Sequence, residues 1–284
     1  MRSISEILSA CSESGCRFSM QALRIESAES GAPEETILAR LASRLDDMEL
    51  SVRESLANRW RGHIVPAEAQ LLSSVEGTTL SGDFILRASR IAMAVATYNA
   101  AMGRIVAAPT AGSCGILPGV LFAFRDLRDA TRETLLRGLV TAAAVGEVVA
   151  ARATLAGASG GCQAECGAAA AMGAAALVEM RDGTPEAVAH AVALTFKSIL
   201  GLVCDPVGGL VESPCIKRNA LLVAPSILAS DLALAGVRSL LPADEVIDAM
   251  GDVGRALPES LRETAKGGLA VTPTAKELVR HFSL

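Results

Sequence analysis

The chain has 284 residues, 51% of them hydrophobic, with a net charge of -5 and seven cysteines. That length buries a substantial core as one large domain or two ordinary ones. Scattered lysines and arginines offer no basic stripe for nucleic acid and no polybasic membrane anchor. An odd number of cysteines spread along the chain, with no leader-like start, argues against a secreted disulfide scaffold and for reduced thiols in the cytoplasm.

Taken from the N-terminus, the chain reads as all-α, with no sustained period-two alternation. Ser3 and Glu6 make a capping box ahead of Ile4, Ile7, Leu8 and Cys11. Pro33, Glu34 and Glu35 open a long amphipathic run through Ile37, Leu41, Leu45, Met48, Val52 and Leu56. These stretches predict an N-terminal helical layer over about 1–60, and a polar stretch of about 59–79 separates it from a core of about 80–284 in one domain.

Asp83 is expected to cap a helix running to about Ala101, and Thr131 another to about Leu155. Gly183, Thr184, Pro185 and Glu186 read as the C′ glycine of one helix followed by the N-cap, N1 and N2 of the next. The run from Cys215 through Leu221, Ile227 and Leu234 is apolar on more than one face, which predicts a central buried helix. The mean hydropathy of +0.40 comes largely from alanine. The stretch 138–157 carries Glu147 and Arg152, and 167–180 is too short for roughly 30 Å of hydrocarbon, so both read as core helices rather than membrane spans.

Four Gly- and Pro-rich loops interrupt these helices: 103–119, 157–167, 201–214 and Gly267-Gly268. Cys162 and Cys204 sit in them and Cys215 directly follows the third, where a neighbouring glycine or proline lets backbone N–H groups turn toward a thiolate and an inorganic cluster approach the main chain. If the loops meet at one end of the bundle, the segment Thr110-Ala111-Gly112-Ser113 has the composition of an anion cradle for a substrate carboxylate.

Several motifs carry a family resemblance. Pro109-Thr110-Ala111-Gly112-Ser113, Gly161-Cys162-Gln163-Ala164-Glu165, Leu202-Val203-Cys204-Asp205-Pro206-Val207, Glu212-Ser213-Pro214-Cys215-Ile216-Lys217-Arg218-Asn219-Ala220 and Glu263-Thr264 with Gly267-Gly268-Leu269-Ala270 resemble the alpha chain of bacterial iron-sulfur-dependent L-serine dehydratase. The resemblance runs over essentially the whole chain. It implies a 4Fe-4S cluster held by Cys162, Cys204 and Cys215, with one iron free of protein thiolate. It implies conversion of L-serine to pyruvate and ammonia, and a beta-chain partner whose histidine-containing loop approaches the site. Thr110, Gly112 and Ser113 are then the expected carboxylate binders.

The family pattern makes Cys114 and Cys166 packing or supporting thiols, and Cys11 and Cys16 structural. No residue emerges as the catalytic base. Glu165 and Lys217 lie near the ligands but read as salt-bridge or capping residues, and His63, His190 and His281 match no motif. The chain departs from the family at Arg152-Ala153-Thr154-Leu155-Ala156, where an Asn-Ala-Ser-Ile-Ser type segment is usual, and at Gly208-Gly209 and Ser213. Rival readings fit less well. A pyridoxal-phosphate eliminase needs a Schiff-base lysine beside a phosphate cradle, and a redox or sensor protein ordinarily has four protein ligands and no anion loop. A different small amino or hydroxy acid is the alternative substrate.

Overall fold

A computed structural model describes residues 1–283. Its helices are α1 (Ile4–Ser14), α2 (Phe18–Ser30), α3 (Glu34–Ala57), α4 (Gly82–Ala100), α5 (Ile116–Arg128), α6 (Arg132–Arg152), α7 (Gly157–Gly160), α8 (Ala168–Met180), α9 (Pro185–Ile199), α10 (Cys215–Leu234), α11 (Ala243–Ala256) and α12 (Pro273–Phe282). There is no β-strand among the described residues, and the fold is all-α.

The bundle is organised around α8, and every residue of that helix is buried. Ala168–Ala171 and Ala174–Ala176 present only methyl groups, so α5, α6, α9 and α10 all approach its axis. Glycine does the same elsewhere. A Cβ on Gly115 would lie 2.2 Å from the Ala92 carbonyl oxygen, which brings the start of α5 directly onto the α4 backbone. Larger side chains fill the outer shell of this core, with Phe122, Phe196, Ile91 and Leu121 fully buried. The one buried charge in α8, Glu179, accepts a hydrogen bond from the Ser19 hydroxyl at 2.7 Å.

The helix expected to be central, α10, is only partly so. One face packs on α4, α8 and α9, yet Leu221 is 70% and Leu228 58% exposed. The apolar pattern around α10 therefore marks one core face and one open apolar face. The helix buried all round is the alanine-rich α8, whose side chains are too small to make a pattern.

Local capping follows the sequence with small shifts. Ser3 Oγ accepts from Glu6 N, but Glu6 turns to Arg2 N instead of closing the box on Ser3. Thr131 and Thr184 cap α6 and α9, and α6 stops at Arg152. The N-cap of α4 is Ser81, leaving Asp83 in the first turn. After α8 the left-handed residue is Asp182 rather than Gly183, whose own missing Cβ would strike Val178 at 2.5 Å.

The helices α2 and α3 lie against α6, and α1 packs on α2, α9 and α11. Asp244 at the start of α11 accepts from Ile4 N at 2.8 Å and Ser5 N at 3.0 Å, satisfying donors at the α1 N-terminus. By length and composition α6 could cross a membrane, and 61% of its apolar window is buried inside the bundle. After α11 the chain runs irregularly through residues 257–272, back over the loop carrying Cys204, before α12.

Candidate functional site

The loops meet at the end of the bundle where α8 begins. Between α7 and α8 the chain makes one wide π turn, Gln163–Gly167, a feature enriched at functional sites. It follows Gly161, whose φ of +75° and close approach to the Leu202 carbonyl admit no side chain. Gln163 is fully buried and ties three segments together. Its amide nitrogen donates to Gly160 O at 2.9 Å and Met250 O at 3.2 Å, and its side-chain oxygen accepts from Gly201 N at 2.9 Å.

Cys204 is held by its backbone, donating to Leu261 O at 2.9 Å while its carbonyl accepts from Glu263 N at 2.7 Å. Cys215 is the first residue of α10. One turn on, the buried Asn219 donates to Cys215 O at 2.9 Å and Gly112 O at 2.8 Å, and accepts from Gly115 N at 2.9 Å. That side chain joins the first loop to the third. Glu212, also buried, receives the N–H groups of His63, Ile64 and Val65 at 2.6, 2.8 and 3.0 Å, so the polar stretch before α4 is anchored to the same loop.

Arg218 connects the thiols. It donates to Val203 O at 2.8 Å, pairs with Asp205 at 2.8 Å, and lies close enough to Cys162 to favour its thiolate. It therefore touches both neighbours of Cys204 and stands three residues after Cys215. Asp205 in turn accepts from Leu269 N at 2.7 Å, and Gly268, with φ +57°, leaves no room for a Cβ, which would lie 2.4 Å from the Asp205 carboxylate.

Cys162, Cys204 and Cys215 are all buried, and none is in a disulfide. Burial and the neighbouring Cys162 and Glu165 push Cys215 up to about 12, and burial with the same neighbours raises Cys204 further. Cys162 is shifted the other way, because the Cys166 thiol donates to it and Arg218 stands beside it; Cys166 is raised correspondingly. Cys204 and Cys215 thus resist ionising alone, and a cation sharing the space would favour their thiolates.

Beside them lie two carboxylates. Glu165 accepts from Thr110 Oγ1 at 2.8 Å and from the Cys204 thiol at 3.7 Å. Burial, and the charge of Glu263, raise its pKa. One carboxylate oxygen from each of Glu165 and Glu263, with Cys204 Sγ, all lie within 4.8 Å of one another. The salt bridge or cap expected for Glu165 is absent among the described residues, whereas Lys217 does pair with Glu68.

The other sequence candidates are placed as follows. The Ser113 hydroxyl is buried and turned onto Thr110, contacting its Oγ1 at 3.1 Å, while the Gly112 carbonyl is occupied by Asn219 and the Cys166 thiol. The N–H groups of Ala111 and Gly112 find no acceptor among the described residues. Cys114 is buried and pushed up to about 12 by burial; Cys11 lies on the buried face of α1, and Cys16 receives Arg24. His63 stacks near Phe282, and His190 accepts from Ser239 N at 3.3 Å. Arg152 turns away from the loops to pair with Asp248, with Nε 3.0 Å from Oδ1, so the departure it represents lies against α11.

Gln163, Asn219 and Arg218 have organising roles that composition did not reveal. The donor set fits an iron-sulfur cluster: three buried thiols, Cys162 just before the π turn, Cys204 in the 201–214 loop and Cys215 at its end, with the Arg218 cation beside Cys162.

Comparison with known proteins places the chain in a family. Residues 9–270 match the family described as serine dehydratase alpha chain. The chain is 46% identical to a probable L-serine dehydratase alpha chain of Bacillus subtilis, covering 98% of this chain and 93% of that one. It is 43% identical to the L-serine dehydratase alpha chain of Peptoniphilus asaccharolyticus, covering 98% and 96%. It is 36% identical to an L-serine dehydratase of Haemophilus influenzae, where 94% of this chain matches 60% of the longer protein.

Proposed function

The chain belongs to the serine dehydratase alpha-chain family, and from that premise we propose that the loop end of the bundle is the site where L-serine loses water and then ammonia to give pyruvate. The protein is a carbon-nitrogen lyase of the L-serine ammonia-lyase type. The observation that carries the site assignment is the placing of three buried, disulfide-free thiols before the π turn and along the 201–214 loop, with the half-buried Glu165 carboxylate accepting from Cys204 and from Thr110 of the first loop.

In this reading Cys162, Cys204 and Cys215 hold a 4Fe-4S cluster. When bound, that cluster supplies a Lewis acid for the departure of the substrate hydroxyl, a poor leaving group in water. The chain's own residues do the positioning. The free N–H groups of Ala111 and Gly112, with Thr110 at the loop entrance and Ser113 bracing it from within, face a substrate carboxylate and fix the Cα–H direction. Asn219 and Gln163 keep the loops at a fixed separation, and Arg218 offsets the charge of the ligand thiolates.

The relatives named alpha chain, and a longer relative of which this chain matches only part, support a beta-chain partner that completes the site. A cytoplasmic location is proposed from the reduced thiols. The test is anaerobic reconstitution with iron and sulfide followed by pyruvate detection from L-serine, with and without the beta chain. Turnover that appears only with both iron and partner is expected; robust turnover by the chain alone contradicts the need for a partner, and none under any condition contradicts the activity.

A further inference from the structure

We propose that α10 pairs with α10 of a second copy of this chain, antiparallel about a two-fold axis at Ala224. The outward face of the helix carries Lys217, Leu221, Ala224, Leu228 and Asp231, spaced four, three, four and three residues apart. That spacing stacks them in one stripe along the helix. Leu221 is 70% and Leu228 58% exposed, and Ala224 between them is half-buried. One leucine in water needs no explanation, but two on a single stripe with a small residue between them make an apolar seam.

The order of residues along the stripe indicates what covers it. Outward from Ala224 a leucine stands on each side, then a lysine toward the N-terminus and an aspartate toward the C-terminus. When two such helices run antiparallel, Lys217 of one copy lies opposite Asp231 of the other, and Leu221 opposite Leu228. A parallel pairing sets lysine on lysine and aspartate on aspartate. A surface that is its own complement under a two-fold rotation is what an isologous dimer requires, and a surface made for an unrelated protein needs no such order.

Within the chain Lys217 pairs with Glu68 and Asp231 with Arg181, yet the Lys217 and Asp231 side chains remain 46% and 53% exposed. Each end of the stripe is therefore open to one more neighbour of opposite charge. Rim charges of this kind add little affinity, but they fix orientation and disfavour the wrong register. Affinity comes from the leucines, and the single methyl group of Ala224 lets the two helix axes approach.

The helix begins with Cys215, so the two thiol centres stand at opposite ends of the pair, about 27 Å apart along its axis at about 1.5 Å per residue. The contact joins two sites and adds no residue to either. One helix face is a small interface, so a Kd of about 10 μM is expected, with the chain monomeric well below that concentration.

The test is sedimentation equilibrium of the full chain over about 1–100 μM, alone and with added beta chain. The wild type should pass from monomer to dimer across that range. Leu228→Glu sets a carboxylate against Leu221 of the other copy twice per dimer, and should weaken self-association at least about a hundredfold. Its helical content should stay at the wild-type level, because the side chain already stands in water. Met20→Glu changes a comparably exposed residue of α2, a helix packed on α1, α3 and α6, and should leave the dimer intact. Ala224→Cys should cross-link with a short bismaleimide through position 224 of both copies, as mapped by peptide mass spectrometry. A chain that stays monomeric in both settings overturns the proposal, and so does a dimer that Leu228→Glu leaves intact. A dimer that fails to cross-link at position 224 overturns the two-fold axis. Loss of beta-chain binding in Leu228→Glu, with no dimer in the wild type, gives the face to the beta chain and overturns the proposal as well.

Discussion

Helix α8 and the loop end from which it springs are neighbours built on opposite rules. Along α8 every side chain is buried and most are methyl groups, so its contribution is close packing of four helices, with Glu179 satisfied by Ser19. One turn earlier, the residues from Gly157 to Cys166 carry thiols, a carboxylate without a cation, a π turn and a glycine at φ +75°. The packed region contains no such groups, and the chemical region is held in place by the hydrogen bonds of Gln163 and Asn219 to α11, α10 and the other loops. Substitutions in the two should therefore separate stability from metal content.

The largest stability effect should come from the packed side. Phe196→Ala empties a fully buried aromatic site on α9 and should cost about 3–5 kcal/mol, read as a lowered midpoint in urea. Protein that stays folded at low temperature should still take up full iron and sulfide. If it loses metal in proportion to stability, the two regions are not separable.

A change at the junction should move both. Asp205→Asn keeps an acceptor for Leu269 N but leaves the largely buried Arg218 without its anion, at a cost of about 3 kcal/mol. Because Arg218 also stands beside Cys162 and Val203, iron retention during gel filtration should fall as well. Unchanged retention would reduce Asp205 to a structural brace.

How much of this was legible in the sequence follows the same division. The loops announced themselves through Gly, Pro and Cys, and their motifs carried the family. The capping threonines Thr131 and Thr184 were readable because an N-cap needs only local chemistry. The central helix was not, since alanine on every face leaves α8 without a hydrophobic stripe, while α10 displays one and exposes part of it. Nor could sequence show that Glu165 lacks a cation or that Gln163 and Asn219 each join distant loops. Those are facts of tertiary contact, between residues 38 and 107 positions apart.

The smallest effect is expected on the open face of α10. Leu221→Ser should change the stability of the isolated chain by no more than about 0.5 kcal/mol, because the side chain already stands in water. A larger change in denaturant midpoint would mean that this face is covered within the folded chain.

The claim that the loop end is a thiolate metal centre is tested most directly by iron and acid-labile sulfide analysis after anaerobic reconstitution of Cys162→Ala, Cys204→Ala and Cys215→Ala beside Cys11→Ala and Cys16→Ala. The first three should lose the cluster and serine turnover while keeping the wild-type helical content, and the last two should retain both. Full iron and sulfide in any of the first three, or loss in either of the last two, would contradict the ligand assignment.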